Sequence, residues 1–403
     1  MIYFKLKSFP QVSETFIVSN LVYAKQKGIS IKIFANRYLG VDHSSQQQLL
    51  KDYNIQDDML KSYHFSSNQL LKFFQVIGAL LNFKVFGYCY SYYKLKRKKN
   101  LQPLADLCQY KHFKTGLVHV HFNNALEPLV SLAKIGYINP KCIITFHGYD
   151  AFSENRNSFQ KKYGEFYKKH VFAVTVNSNY LKDEVLKLEV DPSKIRVIPI
   201  GIDTSIFKGQ PKQRLQNNRI KLLTVGRLVQ LKGQVYAIRA VSKLIQKGYN
   251  VEYYIIGDGN HEKTLKEEAK KLDITKHVFF EGAKQQVTII DYMHKSDLFL
   301  MPSTYDDITK RREAFGLVSV EAQAMGLPVI GFNSGGFPDT IQEGKTGYAV
   351  KDRDHIALAD KIEELIINPS LYQDMSKASI SHAQSFDFKQ TTQQYIDLYG
   401  KFI

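Results

Sequence analysis

The chain has 403 residues, 44% hydrophobic and 23% charged, which excludes a disordered composition and gives enough length for two folded domains. Its net charge of +17 is uneven: residues 1–205 hold 28 Lys and Arg against 15 Asp and Glu, and residues 206–403 hold 27 against 23. The first half therefore faces something negative, a phosphorylated substrate, an anionic membrane surface or nucleic acid, and the last lacks an accompanying recognition motif. Cys89, Cys108 and Cys142 form no pair or ligand-like cluster, which fits a reducing compartment and small buried apolar side chains. Met1 to Lys5 runs directly into a strand-like segment without a separate apolar core and cleavage site, so no secretory signal is expected.

In chain order, Ile2–Lys5, Ser13–Lys27 and Ile29–Ala35 read as strand, helix, strand, with Gly28 ending the helix. The loop Ser8 to Phe16 between the first two carries Ser13 as a helix cap and Glu14 in the first turn. That loop also leaves the carboxyl end of a strand, where open α/β sheets bind ligands. Residues 68–99 stand apart: an apolar, Tyr-rich run interrupted by Lys72 and Lys84 and closed by Lys94, Lys96, Arg97, Lys98 and Lys99. The interruptions leave less than the roughly 20 apolar residues a bilayer span needs. Two readings stay open: helices lying on an anionic membrane, or the same helices packed into the first domain with their lysines solvated.

Strand-like segments then recur with helices between them, at Leu117–Phe122, Lys141–Phe146 and Val171–Asn177, and Ile195–Asp203 closes this half. A second series follows at Lys221–Arg227, Glu252–Ile256, His277–Glu281, Leu298–Met301, Val329–Phe332 and Tyr348–Val350. Such alternation predicts parallel sheets covered on both faces, hence two doubly wound α/β domains. The expected boundaries are 1–208 for the first, with the basic amphipathic segment 68–99 inside it, and 209–218 for a polar linker. The second runs over 219–385, and a helix over 386–403 has no strand after it to join.

The most informative stretch is Glu313-Ala314-Phe315-Gly316-Leu317, running to Glu321-Ala322 and a turn at Gly326-Leu327-Pro328. Two carboxylates with seven residues between them flank a helix start. Free amides and the positive dipole end there suit a phosphate, whereas carboxylates suit hydroxyl groups attached to it. Gly226-Arg227 with Lys232-Gly233 supplies two cations around a turn, and His147 beside Gly148, followed by Asp150, sits at a strand end. Gly257-Asp258-Gly259 lacks the third glycine of a dinucleotide fingerprint. No P-loop, zinc-like cluster or nucleophile elbow occurs, and bound diphosphate is expected to be neutralised by protein cations and amides, with no metal and no cofactor.

Together these residues resemble the retaining glycosyltransferases of family 4. The resemblance implies a GT-B fold, two Rossmann-like domains facing across a cleft, with a C-terminal helix crossing back to the first. Ser8-Phe9-Pro10 with Ser13-Glu14-Thr15-Phe16 is similar to the subgroup that builds colanic acid and related exopolysaccharides. By resemblance, Arg227, Lys232 and the amides of Phe315, Gly316 and Leu317 hold a donor diphosphate and Glu321 the ribose. Glu313 and His147 meet the transferred sugar, and Ser13, Glu14 and Asp150 lie on the acceptor side, in a chain without the Gly-Gly loop near the N-terminus that many members have. The implied reaction is front-face transfer from a nucleotide sugar, UDP-linked before GDP-mannose, to a lipid-linked saccharide on the cytoplasmic face of the plasma membrane. A nucleotide-sugar epimerase of the same fold and a basic nucleic-acid-binding protein are the alternatives.

Overall fold

The computed structural model describes residues 1–11, 14–44, 46–111, 116–152, 156–213 and 219–402, with the backbone only over 156–162. Contacts divide the chain into two units, Met1–Val176 with Lys182–Ile198 and Thr392–Ile403, and Asn177–Leu181 with Pro199–Thr391.

The first unit is a six-stranded parallel sheet: β1 (Ile2–Phe9), β2 (Ile31–Tyr38), β3 (Leu117–His121), β4 (Lys141–Thr145), β5 (Val171–Val176) and β6 (Ile195–Val197), in the order β2-β1-β3-β4-β5-β6. Side chains alternate across a strand. Ile2, Phe4 and Leu6 of β1 therefore share one core with Ile17 and Leu21 of the helix Thr15–Gln26 and with Tyr395 and Tyr399 of the helix Phe388–Gly400. The chain end is thus tied into the first unit, where Thr392 Oγ1 donates to Asn20 Oδ1 at 2.8 Å. Between β2 and β3 lie the helices Gln69–Leu81, Phe83–Lys96 and Gln102–Tyr110.

The second unit is another six-stranded parallel sheet: β7 (Arg219–Val225), β8 (Asn250–Ile256), β9 (Val278–Gly282), β10 (Leu298–Met301), β11 (Val329–Phe332) and β12 (Gly347–Val350), in the order β12-β11-β10-β7-β8-β9. Both faces are covered. Leu298 and Leu300 of β10 enter one core with the helices Gln234–Gln246 and His355–Ile367, while Phe299 and Met301 enter another with Leu317–Ala324. In each unit the strand order reverses beside the first strand, between β1 and β3 and between β7 and β10. Loops leaving those neighbours go to opposite faces, and the crevice at their carboxyl ends is the usual ligand position.

Candidate functional site

In the second unit, β7 runs into Gly226 and a short 3-10 turn, Gln230–Lys232, closed by Gly233 in the left-handed region at φ +61°. A Cβ on Gly233 would lie 1.9 Å from the Pro302 carbonyl oxygen, so the turn seats directly on the chain leaving β10. Gly257 does the same from the side, since its Cβ would meet the Gly226 carbonyl at 2.0 Å. The Gly257-Asp258-Gly259 stretch therefore braces this turn, with Leu228 N–H donating to the Asp258 carbonyl at 2.6 Å.

Lys232 Nζ stands 2.5 Å from Glu313 Oε2, and the two side chains keep 17% and 19% of their surface. Such a pair is only partly screened. Glu313 is fixed through its backbone: Gly336 N–H donates to its carbonyl at 2.9 Å. Arg312, beside it, donates to Ser334 Oγ at 2.6 Å and to Asp352 Oδ2 at 2.5 Å. Three residues on, Gly316 adopts φ +95° and opens the helix Leu317–Ala324. Among the described residues no acceptor takes the amides of Phe315, Gly316 or Leu317, while the Phe315 ring is buried in the core.

Glu321, in the second turn of that helix, is half-buried, and its side chain has no hydrogen-bond partner among the described residues. Burial pushes its carboxyl up to about 7. Because part of its surface stays open, this amounts to a carboxylate short of donors rather than one sealed from water. Arg227 is exposed, and among the described residues no hydrogen bond or ion pair ties it or Glu321 to the Lys232–Glu313 pair. Among the described residues no three His, Cys, Asp or Glu side chains group as metal ligands.

In the first unit, the ends of β1, β3 and β4 converge. His147 follows β4, its ring packed 4.7 Å from Phe16 and 4.4 Å from Phe122. Its Nε2 meets His121 Nδ1 at 3.1 Å, whereas its own Nδ1 and His121 Nε2 are buried without partners among the described residues. Burial, and secondarily His121, holds the His147 pKa well below the usual imidazole range; burial takes His121 down to about 3. Both rings are therefore neutral near pH 7. Asp150 is spent on the backbone: Oδ1 accepts from the amides of His147 at 3.0 Å and Gly148 at 3.1 Å, and Oδ2 from Asn123 at 2.8 Å.

Glu14 occupies the N-cap position of Thr15–Gln26 rather than its first turn, and makes no side-chain cap. It accepts from Gln11 Nε2 at 3.0 Å through Oε1, leaves Oε2 buried without a partner among the described residues, and is pushed up to about 7 by burial. Ser13 lies outside the described residues.

Sequence reasoning missed His119 and His121, two apart on β3 and so on one face. His119 is fully buried between Tyr399 Oη at 2.7 Å and Thr145 Oγ1 at 2.6 Å. The His-x-His spacing at a strand end was the available signal. It also missed Gly335-Gly336, a loop signal after a strand. A Cβ on either would lie 2.1 Å from the carbonyl of Glu313 or Ala314.

Comparison with known proteins bears on this arrangement. Residues 206–382 match the model of glycosyl transferases group 1, and residues 83–206 that of glycosyltransferase family 4. The chain is 26% identical to the amylovoran biosynthesis glycosyltransferase AmsK of Erwinia amylovora, over 87% of each chain. It is 30% identical to a GDP-mannose-dependent alpha-(1-6)-phosphatidylinositol monomannoside mannosyltransferase of Mycobacterium tuberculosis. That match takes in 48% of this chain and about half, 52%, of the relative's length. Among solved structures, Anabaena HepE in complex with UDP superposes with a TM-score of 0.72 over 100% of both chains at 19% identity, a likeness of fold. The two glycosyltransferase models together take in residues 83–382, and the chain has the GT-B fold.

Proposed function

We propose that the protein moves a hexose or N-acetylhexosamine, with retention at the anomeric carbon, from a nucleotide-diphosphate sugar to a lipid-linked saccharide during cell-surface polysaccharide synthesis. One observation carries the donor half: a lysine–glutamate pair beside a helix start with unclaimed amides, and a half-buried carboxylate without a donor in the same helix. Diphosphate oxygens need cations and N–H groups, whereas sugar and ribose hydroxyls need acceptors.

In this reading Lys232, Arg227 and the amides of Phe315, Gly316 and Leu317 hold the diphosphate. Glu321 accepts from the ribose hydroxyls, and Glu313 from hydroxyls of the transferred sugar. As the glycosidic bond breaks, negative charge grows on the diphosphate oxygen, and fixed positive groups already in place stabilise it most at that moment. The retained configuration is assigned to front-face attack, with the acceptor hydroxyl's proton passing to a donor phosphate oxygen. His147, neutral, supplies a hydrogen bond rather than a charge to the sugar, and Asp150 orients the loop that carries it. Glu14 and Ser13 are assigned to the acceptor.

The acceptor half is supported by the names of the relatives, amylovoran biosynthesis for AmsK and phosphatidylinositol monomannoside for the mycobacterial enzyme, and by the positive first half of the chain. A lipid-linked acceptor places the enzyme at an anionic membrane surface, on the cytoplasmic side where nucleotide sugars are made. A thermal-shift panel of UDP-sugars, GDP-mannose and free nucleotides tests the donor assignment. The true donor at about 100 times its Kd stabilises the protein by about 2.7 kcal/mol. A melting point unmoved by every nucleotide sugar overturns the assignment.

A further inference from the structure

The helix pair between β2 and β3 is apolar on its outside. Leu70, Leu71, Phe73, Phe74, Leu81, Phe83 and Phe86 are exposed, Leu81 at 73% and Phe83 at 91%. Among residues of Gln69–Leu81 only Ala79 is buried. Among the described residues no single helix is long and apolar enough to cross a bilayer. The pair Gln69–Leu81 and Phe83–Lys96 passes that test together but bends by 99° at the break, and a right-angled pair cannot lie straight across about 30 Å of hydrocarbon.

We propose that the corner Leu81-Asn82-Phe83 inserts as an apolar wedge into one leaflet of an anionic bilayer, and that insertion, not charge alone, holds the protein there. This deepens the membrane-surface reading above and rests on it, but not on the donor chemistry.

The corner is built to be presented. Asn82 Oδ1 accepts from the Lys84 and Val85 amides at 3.1 and 3.4 Å, capping the second helix at the bend, as Asn68 caps the first. The second helix is anchored inward by buried Val85 and Tyr92, by Tyr92 Oη donating to Asp106 Oδ2 at 3.1 Å, and by Tyr88 against Tyr137 at 5.2 Å. Lys96 is also committed inward, 2.9 Å from Glu127, which leaves Lys72, Lys84, Lys94, Arg97, Lys98 and Lys99 for lipid headgroups.

Charge selects the occupant. Residues 68–99 carry seven Lys and Arg and no Asp or Glu. A second copy packed on this face would oppose cation to cation, whereas an anionic bilayer accepts both the rings and the charges.

The protein contains no tryptophan, so Phe83→Trp places the only tryptophan, selectively excited at long wavelength, at the corner. With phosphatidylcholine–phosphatidylglycerol vesicles, its emission is expected to move to shorter wavelength and to be quenched by acyl-chain-brominated lipid, and flotation is expected to survive high salt. Leu81→Ser with Phe83→Ser should cut salt-resistant flotation about tenfold or more and leave the nucleotide-induced thermal shift unchanged. Flotation with an unshifted, unquenched tryptophan overturns insertion and leaves the charge-held surface reading standing. Absence of flotation overturns both, without touching the donor site. A concentration-dependent blue shift without vesicles assigns the corner to a second copy and overturns the wedge.

Discussion

The two units solve the same topological problem with different chemistry. In the second unit the switch between β7 and β10 is built largely from backbone: glycines at 233, 257, 335 and 336 let carbonyls approach where any Cβ would collide. Charge is then added by one pair, Lys232 and Glu313. In the first unit the switch between β1 and β3 is lined by rings: His147 and His121 meet each other, with Phe16 and Phe122 against His147. Backbone amides and cations suit a polyanion, whose charge is fixed and whose shape varies little. Neutral imidazoles and a protonatable carboxylate at Glu14 suit hydroxyl groups, which ask for direction rather than charge. In the proposed reading the second unit holds the diphosphate and, through Glu313, part of the sugar, while the first unit orients the sugar from its rings.

The sharpest way to break that division is Glu313→Gln, which keeps the shape and removes the charge facing Lys232. Transfer is expected to fall about 10²–10³-fold, with the Kd for free nucleoside diphosphate nearly unchanged, measured by initial rates beside calorimetry. His147→Ala should lower kcat about 10²-fold with nucleotide affinity intact. A comparable loss of nucleotide affinity would erase the distinction between the units.

Glu321→Ala removes an acceptor of charged hydrogen bonds and should weaken nucleoside diphosphate binding by about 1.5–3 kcal/mol, roughly 10–150-fold. The pH dependence follows from the same group. Its folded pKa, about 7, lies above the ordinary 4.5, so it favours the folded state fully below the lower value and loses that contribution as pH rises through the upper one. Without donor, Glu321→Gln should therefore melt higher than wild type at pH 8. Nucleotide affinity of the wild type should fall as pH drops below about 7, since a protonated Glu321 gives up acceptor capacity. Melting curves and calorimetry across pH 6 to 8 check both signs. Smallest in function is Asp150→Asn, which turns an amide donor toward buried N–H groups. It should cost about 1–3 kcal/mol of stability, seen as a lower melting temperature, and reduce transfer only through the His147 loop.

Much of this was legible in the residues. Strand and helix alternation is a strong pattern because parallel strands are apolar on both faces, and Lys221–Arg227 or Val329–Phe332 reads so without ambiguity. The Glu313–Glu321 block was legible because a helix start between two carboxylates is a local arrangement. Contacts between distant residues were not: Lys232 and Glu313 are 81 positions apart, and nothing in either neighbourhood announces the pair. The same holds for His121 beside His147, and for Lys5, fully buried on β1 with Nζ 3.1 Å from Asn36 Oδ1 and lowered to about 8 by burial. A lysine in a strand pattern reads as solvent-facing until the second layer of helices is known. Glu14 shows the limit of local rules, since the capping pattern is present in sequence while the side chain turns inward to Gln11.

The most direct measurement is calorimetric titration of the nucleoside diphosphate of the donor into wild type and Lys232→Ala. If Lys232 and the helix start at Gly316 are the diphosphate seat, the Kd rises at least about tenfold, the equivalent of 1.4 kcal/mol for one charged contact. An affinity unchanged by Lys232→Ala, in a protein that still binds and transfers, would contradict the account.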